Sequence, residues 1–266
     1  MKRSGAFLLL LLFVGINSYS FGQKENPKLN FSADVMSRYI WRGSQFGGNS
    51  PSLQPSVNLS WNGLELGAWG AYSLGGTNNA QEFDLYLSYT FLNDLMSLTV
   101  TDYYFPVEGD DYNYFEFNHN QTGHVLESTI NFNGNDKIPF EFLLAVNFWG
   151  ADAATIGNTA ANADFNQKTG IQYSTYAELS YNHSMSNDVD FNAFLGVNLS
   201  DPQAANPNNG YNGESGYYGS KSGIVNLGCT LTKEIAVNEK FSLPVSASII
   251  TNPVDRKVFF VFGFSL

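Results

Sequence analysis

The sequence predicts an all-β fold: a transmembrane, antiparallel, up-and-down β-barrel of about twelve strands. Three observations carry the prediction. Segments of strand length alternate apolar and polar residues with period two along nearly the whole chain. Aromatic residues make up 15% of the chain and charged residues only 14%, whereas a soluble domain averages about 25% charged. The connections alternate short and long, as expected for short periplasmic turns and longer external loops on an even number of strands.

At the N-terminus, Lys2 and Arg3 precede an apolar run from Ala6 to Ile16, the charged and apolar regions of an export signal. That run falls short of the roughly 20 residues a spanning helix needs. Residues 1–22 are therefore expected to be a cleaved signal peptide, cut between Gly22 and Gln23, and residues 23–266 the barrel. Ser18 and Ser20 offer a second cut, before Phe21. The single cysteine, Cys229, lies far from either cut, so no lipid attachment is expected there, and one thiol cannot form an intramolecular disulfide framework. Losing Lys2 and Arg3 takes the formal charge from −11 to −13, which excludes nucleic acid as a partner, since phosphate binding requires a basic surface.

The first strand begins at Leu29. Leu29, Phe31, Ala33, Val35, Tyr39 and Trp41 share one face, and Asn30, Ser32, Asp34, Arg38 and Arg42 the other, so it is predicted to run through Arg42. Leu53, Val57, Leu59 and Trp61 alternate with Gln54, Ser56, Asn58 and Ser60, and Asn62-Gly63 then makes a tight turn into residues 64–73. Phe83, Leu85, Leu87, Tyr89 and Phe91 against Glu82, Asp84, Tyr86, Ser88 and Thr90 give the cleanest alternation. Residues 96–105, 124–132, 139–149, 172–181, 189–199, 223–233, 241–251 and 257–266 complete the set. In residues 96–105, Asp102 shares parity with Leu98 and Val100, so a bulge is expected there, or a strand that has left the hydrocarbon before Asp102. The long connections are residues 106–123, 150–171 and 201–222, and the Asn- and Gly-rich stretch 203–216 reads as a solvated external loop.

The stretch Ser32-Ala33-Asp34-Val35-Met36-Ser37-Arg38-Tyr39-Ile40-Trp41-Arg42-Gly43 resembles the opening strand of the TorF (Gcw_chp) family of outer-membrane porins. Pro55 with its following strand, Asp84-Leu85-Tyr86, Tyr176-Ala177-Glu178-Leu179, and the run from Leu243-Pro244-Val245 to Asn252-Pro253 are similar in kind and order. The resemblance spans most of the chain after the leader, although the fifth strand matches poorly and residues 203–216 do not align. It implies an outer-membrane barrel classed as a porin by architecture, and it carries no catalytic residues.

With the apolar face toward outer-membrane lipid, the other face lines the lumen. Asp34, Glu65, Glu141, Glu178 and Asp190 are expected toward its periplasmic half, Arg42, Glu82, Asp84 and Glu127 nearer the outer mouth, and Arg38 between them. This acidic lining favours cationic or neutral small polar solutes if it selects. The same charges read equally as a salt-bridged network that stiffens the barrel. Trp69, Tyr86, Trp149, Tyr176 and Phe194 are expected to point inward and narrow a lumen that, at twelve strands, lies between filled and open barrels. Tyr39, Trp41, Trp61, Tyr72, Tyr89, Phe91 and Tyr181 are expected outside, near strand ends, as interfacial girdles.

No cofactor is expected. Residues 107–116 hold enough oxygen ligands for calcium but lack the spacing of an EF-hand loop. Nor is an enzyme expected: His183-Ser184 falls in a predicted periplasmic turn, and His119, His124 and Ser128 form no tight motif. Cys229 reads as a small membrane-facing residue. Two functions fit: a porin-like channel for passive diffusion, or a structural or adhesive surface barrel with a blocked lumen. The sequence does not distinguish a monomer from a trimer.

Overall fold

The computed structural model describes residues 26–75, 81–106, 114–118, 121–239 and 241–266. The expected signal peptide, His119 and most of the candidate calcium loop lie outside the described residues. In chain order the strands are β1 (Lys28–Met36), β2 (Tyr39–Trp41), β3 (Ser44–Phe46), β4 (Ser52–Trp61), β5 (Leu64–Ser73) and β6 (Gln81–Phe91). There follow β7 (Met96–Tyr104), β8 (His124–Phe132), β9 (Phe140–Gly150), β10 (Ala154–Thr155) and β11 (Lys168–Thr169). The last five are β12 (Thr175–Met185), β13 (Val189–Asn198), β14 (Gly223–Asn238), β15 (Phe241–Asn252) and β16 (Lys257–Ser265). Twelve of them close a barrel in the order β1-β4-β5-β6-β7-β8-β9-β12-β13-β14-β15-β16, every neighbour antiparallel. Among the described residues β2 pairs only with β3, and β10 only with β11, off the wall.

Burial is inverted relative to a soluble protein. Phe31, Leu66, Leu87 and Phe260 stand 73%, 58%, 53% and 60% exposed on the outside, whereas Glu82, Glu127, Asn147 and Asn198 are buried within. This follows from period-two alternation on a closed sheet: each wall strand pairs with two neighbours, β16 with β1 over its C-terminal part, and presents one apolar and one polar face. Asn62 and Gly63 both have positive φ (49° and 80°), the conformation a two-residue turn needs to reverse a twisted hairpin. Asn30 to Asn58, Ser32 to Ser56, Ser88 to Thr99 and Thr230 to Ser248 join neighbouring strands by side-chain hydrogen bonds on the inner face, at 2.6–2.8 Å.

Three expectations are corrected. β1 leaves the wall after Met36 rather than running to Arg42, so Tyr39 and Trp41 lie inside the barrel and not in an outer girdle. β7 pairs with both neighbours without a register shift, so it carries no bulge at Asp102. Instead Asp102 faces outward and both its oxygens meet His124 Nδ1, at 2.9 and 3.0 Å. A charge on the apolar face is tolerated because a partner stands beside it and Phe117, Tyr104 and Tyr114 ring that partner. The bulges fall at Leu126/Glu127, Gly196/Val197 and Ala236/Asn238. The first turns Trp149, predicted to narrow the lumen, to the outer face, opposite Leu126.

Residues 203–216 are solvated, with 203–210 all exposed, but they are also tied down. The Glu214 carboxylate accepts from the Thr155 and Gln203 N–H groups (3.1 and 2.8 Å), and the Tyr211 hydroxyl donates to the Thr155 carbonyl (3.1 Å). Asn166 bridges to the backbone of Gly210 and Asn212. Nearby, burial raises the Asp152 carboxyl above the ordinary carboxylate value, although Ser174 donates to it through N–H and Oγ. The chain then enters the barrel, where Tyr217 and Tyr218 pack against Trp41.

Candidate functional site in the lumen

The lumen is occupied in its outer half by a hairpin, β2 and β3, that folds in from the top of β1. Arg42 and Gly43 form its two-residue tip, with φ of 47° and 76°. The left-handed region costs a non-glycine residue strain, and at Arg42 the strain is offset by what the side chain reaches. Its Nη1 and Nη2 lie 2.5 and 3.0 Å from Glu127 Oε2 and Oε1, a bidentate pair. The guanidinium carbon sits 4.6, 4.7 and 5.1 Å from the ring centroids of Trp41, Tyr176 and Tyr218, within range for cation–π attraction on all three. At Gly43 a Cβ would fall 1.8 Å from the Val225 carbonyl oxygen, so the tip docks against β14 only as glycine. Asn252 Nδ2 donates to the Gly43 carbonyl (3.2 Å).

Glu127 is the anchor on the wall. Besides Arg42 it accepts from Tyr218 (2.6 Å), Thr129 (2.5 Å) and Tyr103 (3.3 Å). A buried carboxylate demands such saturation, because an unmatched one costs several kcal/mol. The rings close around it: Trp41 meets Tyr103, Tyr217 and Tyr218 at 5.5–5.9 Å, and Tyr218 meets Tyr176 at 5.5 Å. On the other side of the hairpin Tyr39 packs on Trp69 and Phe46 at 5.4 and 5.5 Å, and Phe46 stacks on Phe105. Glu82 and Asp84 are buried beside Tyr39; among the described residues one oxygen of each, and Arg38 Nε, have no hydrogen-bond partner.

The predicted lower carboxylates lie on the inner face of the wall, each except Asp34 with a neutral partner. The Tyr86 hydroxyl donates to Glu65 (2.8 Å), Asn182 Nδ2 to Glu141 (2.9 Å) and Ser184 Oγ to Asp190 (2.7 Å). Glu178 accepts from Tyr176 and from Asn226 (2.8 Å). Asp34 stands on the seam, opposite Gln54 and Ser265. Phe194 projects inward, its ring against Gly228. Thus the structure joins Arg42, Glu127 and Tyr176 in one cluster, which Glu178 reaches through the Tyr176 hydroxyl, places Glu82, Asp84 and Trp69 around the hairpin's other flank, and leaves Asp34, Glu65, Glu141 and Asp190 separate. The sequence reading missed Tyr39, Trp41, Tyr103, Tyr217 and Tyr218 as lumen residues. Two signals were available: Arg42-Gly43 is a turn dipeptide between aromatic flanks, and Gly216-Tyr217-Tyr218-Gly219 is an aromatic island in an Asn-rich loop.

His183 and Ser184 sit on β12, inside the predicted turn, and point to opposite faces of the sheet. Ser184 is bonded to Asp190 rather than to a histidine. On the outside, His124 Nε2 donates to the Tyr114 carbonyl (2.6 Å), and Ser128 lies four residues along the same strand, too far to share a proton with the ring.

An apolar exterior, a polar interior and a closed antiparallel wall define a transmembrane β-barrel with a plugged lumen. Among solved structures, the chain is similar to the KdgM porin, with 7% identity, a TM-score of 0.44 and coverage of 88% of this chain and 96% of that one. It is also similar to Wzi of Escherichia coli, a carbohydrate-binding β-barrel involved in group 1 capsule assembly, with 12% identity, a TM-score of 0.33 and coverage of 90% of this chain and 56% of that one. No family model matches the chain, and no curated protein sequence matches it.

Proposed function

We propose that this chain, exported by a leader of residues 1–22, is a narrow bacterial outer-membrane channel for small polar solutes, its outer half shut by the hairpin. The observation that carries this reading is the division of the lumen. Its periplasmic half is lined by Asn30, Ser32, Ser56, Asn58, Ser60, Thr230 and Ser248, all at least partly accessible, whereas its outer half is filled by a separate element docked on the wall through the Arg42–Glu127 pair, the Asn252–Gly43 bond and ring packing. A barrel built only for rigidity has no use for a polar vestibule that ends at a removable plug.

Asp34, Glu65, Glu141, Glu178 and Asp190 face that vestibule, and Lys28 shares their parity at its periplasmic end. Carboxylates in such excess attract cations and repel anions. In planar bilayers under a salt gradient, the reversal potential of the purified barrel is expected to show cation preference, and Glu141→Gln with Glu178→Gln to move it toward zero. An unchanged potential in the double variant would leave those carboxylates with a structural role alone.

The dense packing of the plug favours one alternative, a surface barrel with a blocked lumen that works through its tied loops. Absence of conductance both in the natural chain and in a barrel whose residues 38–49 are replaced by a short Gly/Ser linker would establish that alternative and end the channel reading.

A further inference from the structure

The wall is incomplete where the hairpin departs. Among the described residues, β1 and β16 are joined by reciprocal Ala33–Leu266 bonds and pair over Asp34↔Ser265, Val35↔Phe264 and Met36↔Gly263, where the ladder stops. Above them, Ser37 still exchanges bonds with Phe262: its N–H donates to the Phe262 carbonyl (2.7 Å), and the Phe262 N–H donates to Ser37 Oγ (2.9 Å). By the period of two, Phe260 and Val258 direct their backbone N–H and C=O to the same side. No strand stands there, and neither residue has a hydrogen-bond partner on that side among the described residues. Their side chains are 60% and 59% exposed on the lipid face. Open sheet edges are not tolerated in hydrocarbon, since each unpaired backbone group costs several kcal/mol there. Just below this gap, an apolar groove of about 610 Å³ is lined by Val35, Pro51, Phe262 and Phe264, among others.

The residues that would fill the gap are those now in the plug. Continued in its existing register, β1 sets Tyr39 opposite Phe260 and Trp41 opposite Val258. Tyr39 and Trp41 then join Val35, Phe31 and Leu29 on the apolar face, and Arg38 and Arg42 point to the lumen, the alternation that the sequence itself displays. A hinge is already present. The two arms pair as Met36↔Ser52 in the wall but as Tyr39↔Phe46 in the hairpin, so residues 37–38 on one arm face residues 47–51 on the other. The slack lies at Gly47 and Gly48, both with positive φ (69° and 67°), a region glycine enters freely.

We propose that residues 37–51 form a two-position gate: in one position the hairpin plugs the lumen, and in the other the same residues extend β1 along the free edge of β16 and complete the wall. The plugged position gains the Arg42–Glu127 pair and its surrounding rings. The wall position gains ladder hydrogen bonds at Phe260 and Val258 and covers the edge. Its meaning as a gate rests on the channel reading above, but the two positions are detectable without it.

Disulfide trapping in intact membranes tests the proposal, in a Cys229→Ser background. Tyr39→Cys with Phe260→Cys, and independently Trp41→Cys with Val258→Cys, would bring Cα atoms to about 4.5–5.5 Å in the wall position, within disulfide reach. In the plugged position Tyr39 is packed against Trp69 inside the lumen, away from the outward face of Phe260. Both pairs are expected to cross-link on oxidation, and several-fold more than the off-register pair Trp41→Cys with Phe262→Cys. Locking them should raise bilayer conductance several-fold, reversibly on reduction. Cross-linking of both in-register pairs no higher than the off-register control, in barrels that resist protease like the parent, overturns the gate while leaving the channel reading standing. Cross-linking that leaves conductance at zero supports the two positions and overturns the channel reading.

Discussion

Glu127→Ala is expected to undock the plug and open the lumen. Removing one partner of a buried, hydrogen-bonded ion pair typically costs about 3–5 kcal/mol, because the other charge is stranded. Here that charge is Arg42, already at a strained backbone position and enclosed by three rings. Tyr218, Tyr103 and Thr129 lose their common acceptor at the same time. The barrel wall has no share in that loss, since its ladders run on both sides of β8 independently of the hairpin. The released energy cost therefore falls on plug docking, which a hairpin of two three-residue strands cannot withstand. Single-channel recordings should show a several-fold larger conductance for Glu127→Ala, with unchanged β-sheet circular dichroism. Arg42→Ala should do the same for the converse reason, leaving a buried carboxylate without its cation. The double variant should be less damaging to stability than the sum of the two single ones, the signature of direct coupling. Unaltered conductance in both single variants would show that Arg42–Glu127 does not hold the plug.

Leu87→Arg is expected to be the most damaging single change on the exterior. Leu87 lies midway along β6, opposite Leu66 and Val100, and is 53% exposed. In water an exposed leucine on a strand can be exchanged for arginine at little cost. In a bilayer, arginine near the midplane of a barrel's lipid face costs about 2–4 kcal/mol. The contrast is large enough to read in a refolding titration with urea in lipid vesicles. Thr99→Arg, on the inner face of the neighbouring strand, is the matched control and should cost much less. Equal effects of the two would contradict the assignment of faces.

Period-two alternation and loop lengths were enough to place all twelve wall strands in the sequence, because a lipid-facing strand has to write its two faces as alternate residues. The ends were less legible. β12 and β14 run on to Met185 and Asn238, beyond the predicted limits, because hairpin ladders persist into polar residues once outside the hydrocarbon. Trp149 was assigned to the wrong face because one bulged residue reverses parity, and a bulge leaves no mark in a pattern of apolar and polar letters. Asp102 was visible as an anomaly, but its explanation, His124 on the next strand, required the register between them.

The lumen divides along the same line. That Glu65, Glu82, Asp84, Glu127, Glu141, Glu178 and Asp190 lie on the inner face follows from parity, a local property of each strand. Which of them meet does not, since Arg42 and Glu127 are 85 residues apart and are joined by a hairpin that leaves its strand. The sequence by itself determined the barrel, its twelve up-and-down strands and, for most residues, which face of the wall each occupies. Only the tertiary structure decided that Tyr39, Trp41 and Arg42 fold inward. In the extended strand, their alternation satisfies the lipid face; in the plug, the same side chains satisfy a buried carboxylate and a set of rings. Local pattern cannot choose between two arrangements that it fits equally, and the choice falls to contacts made across the barrel.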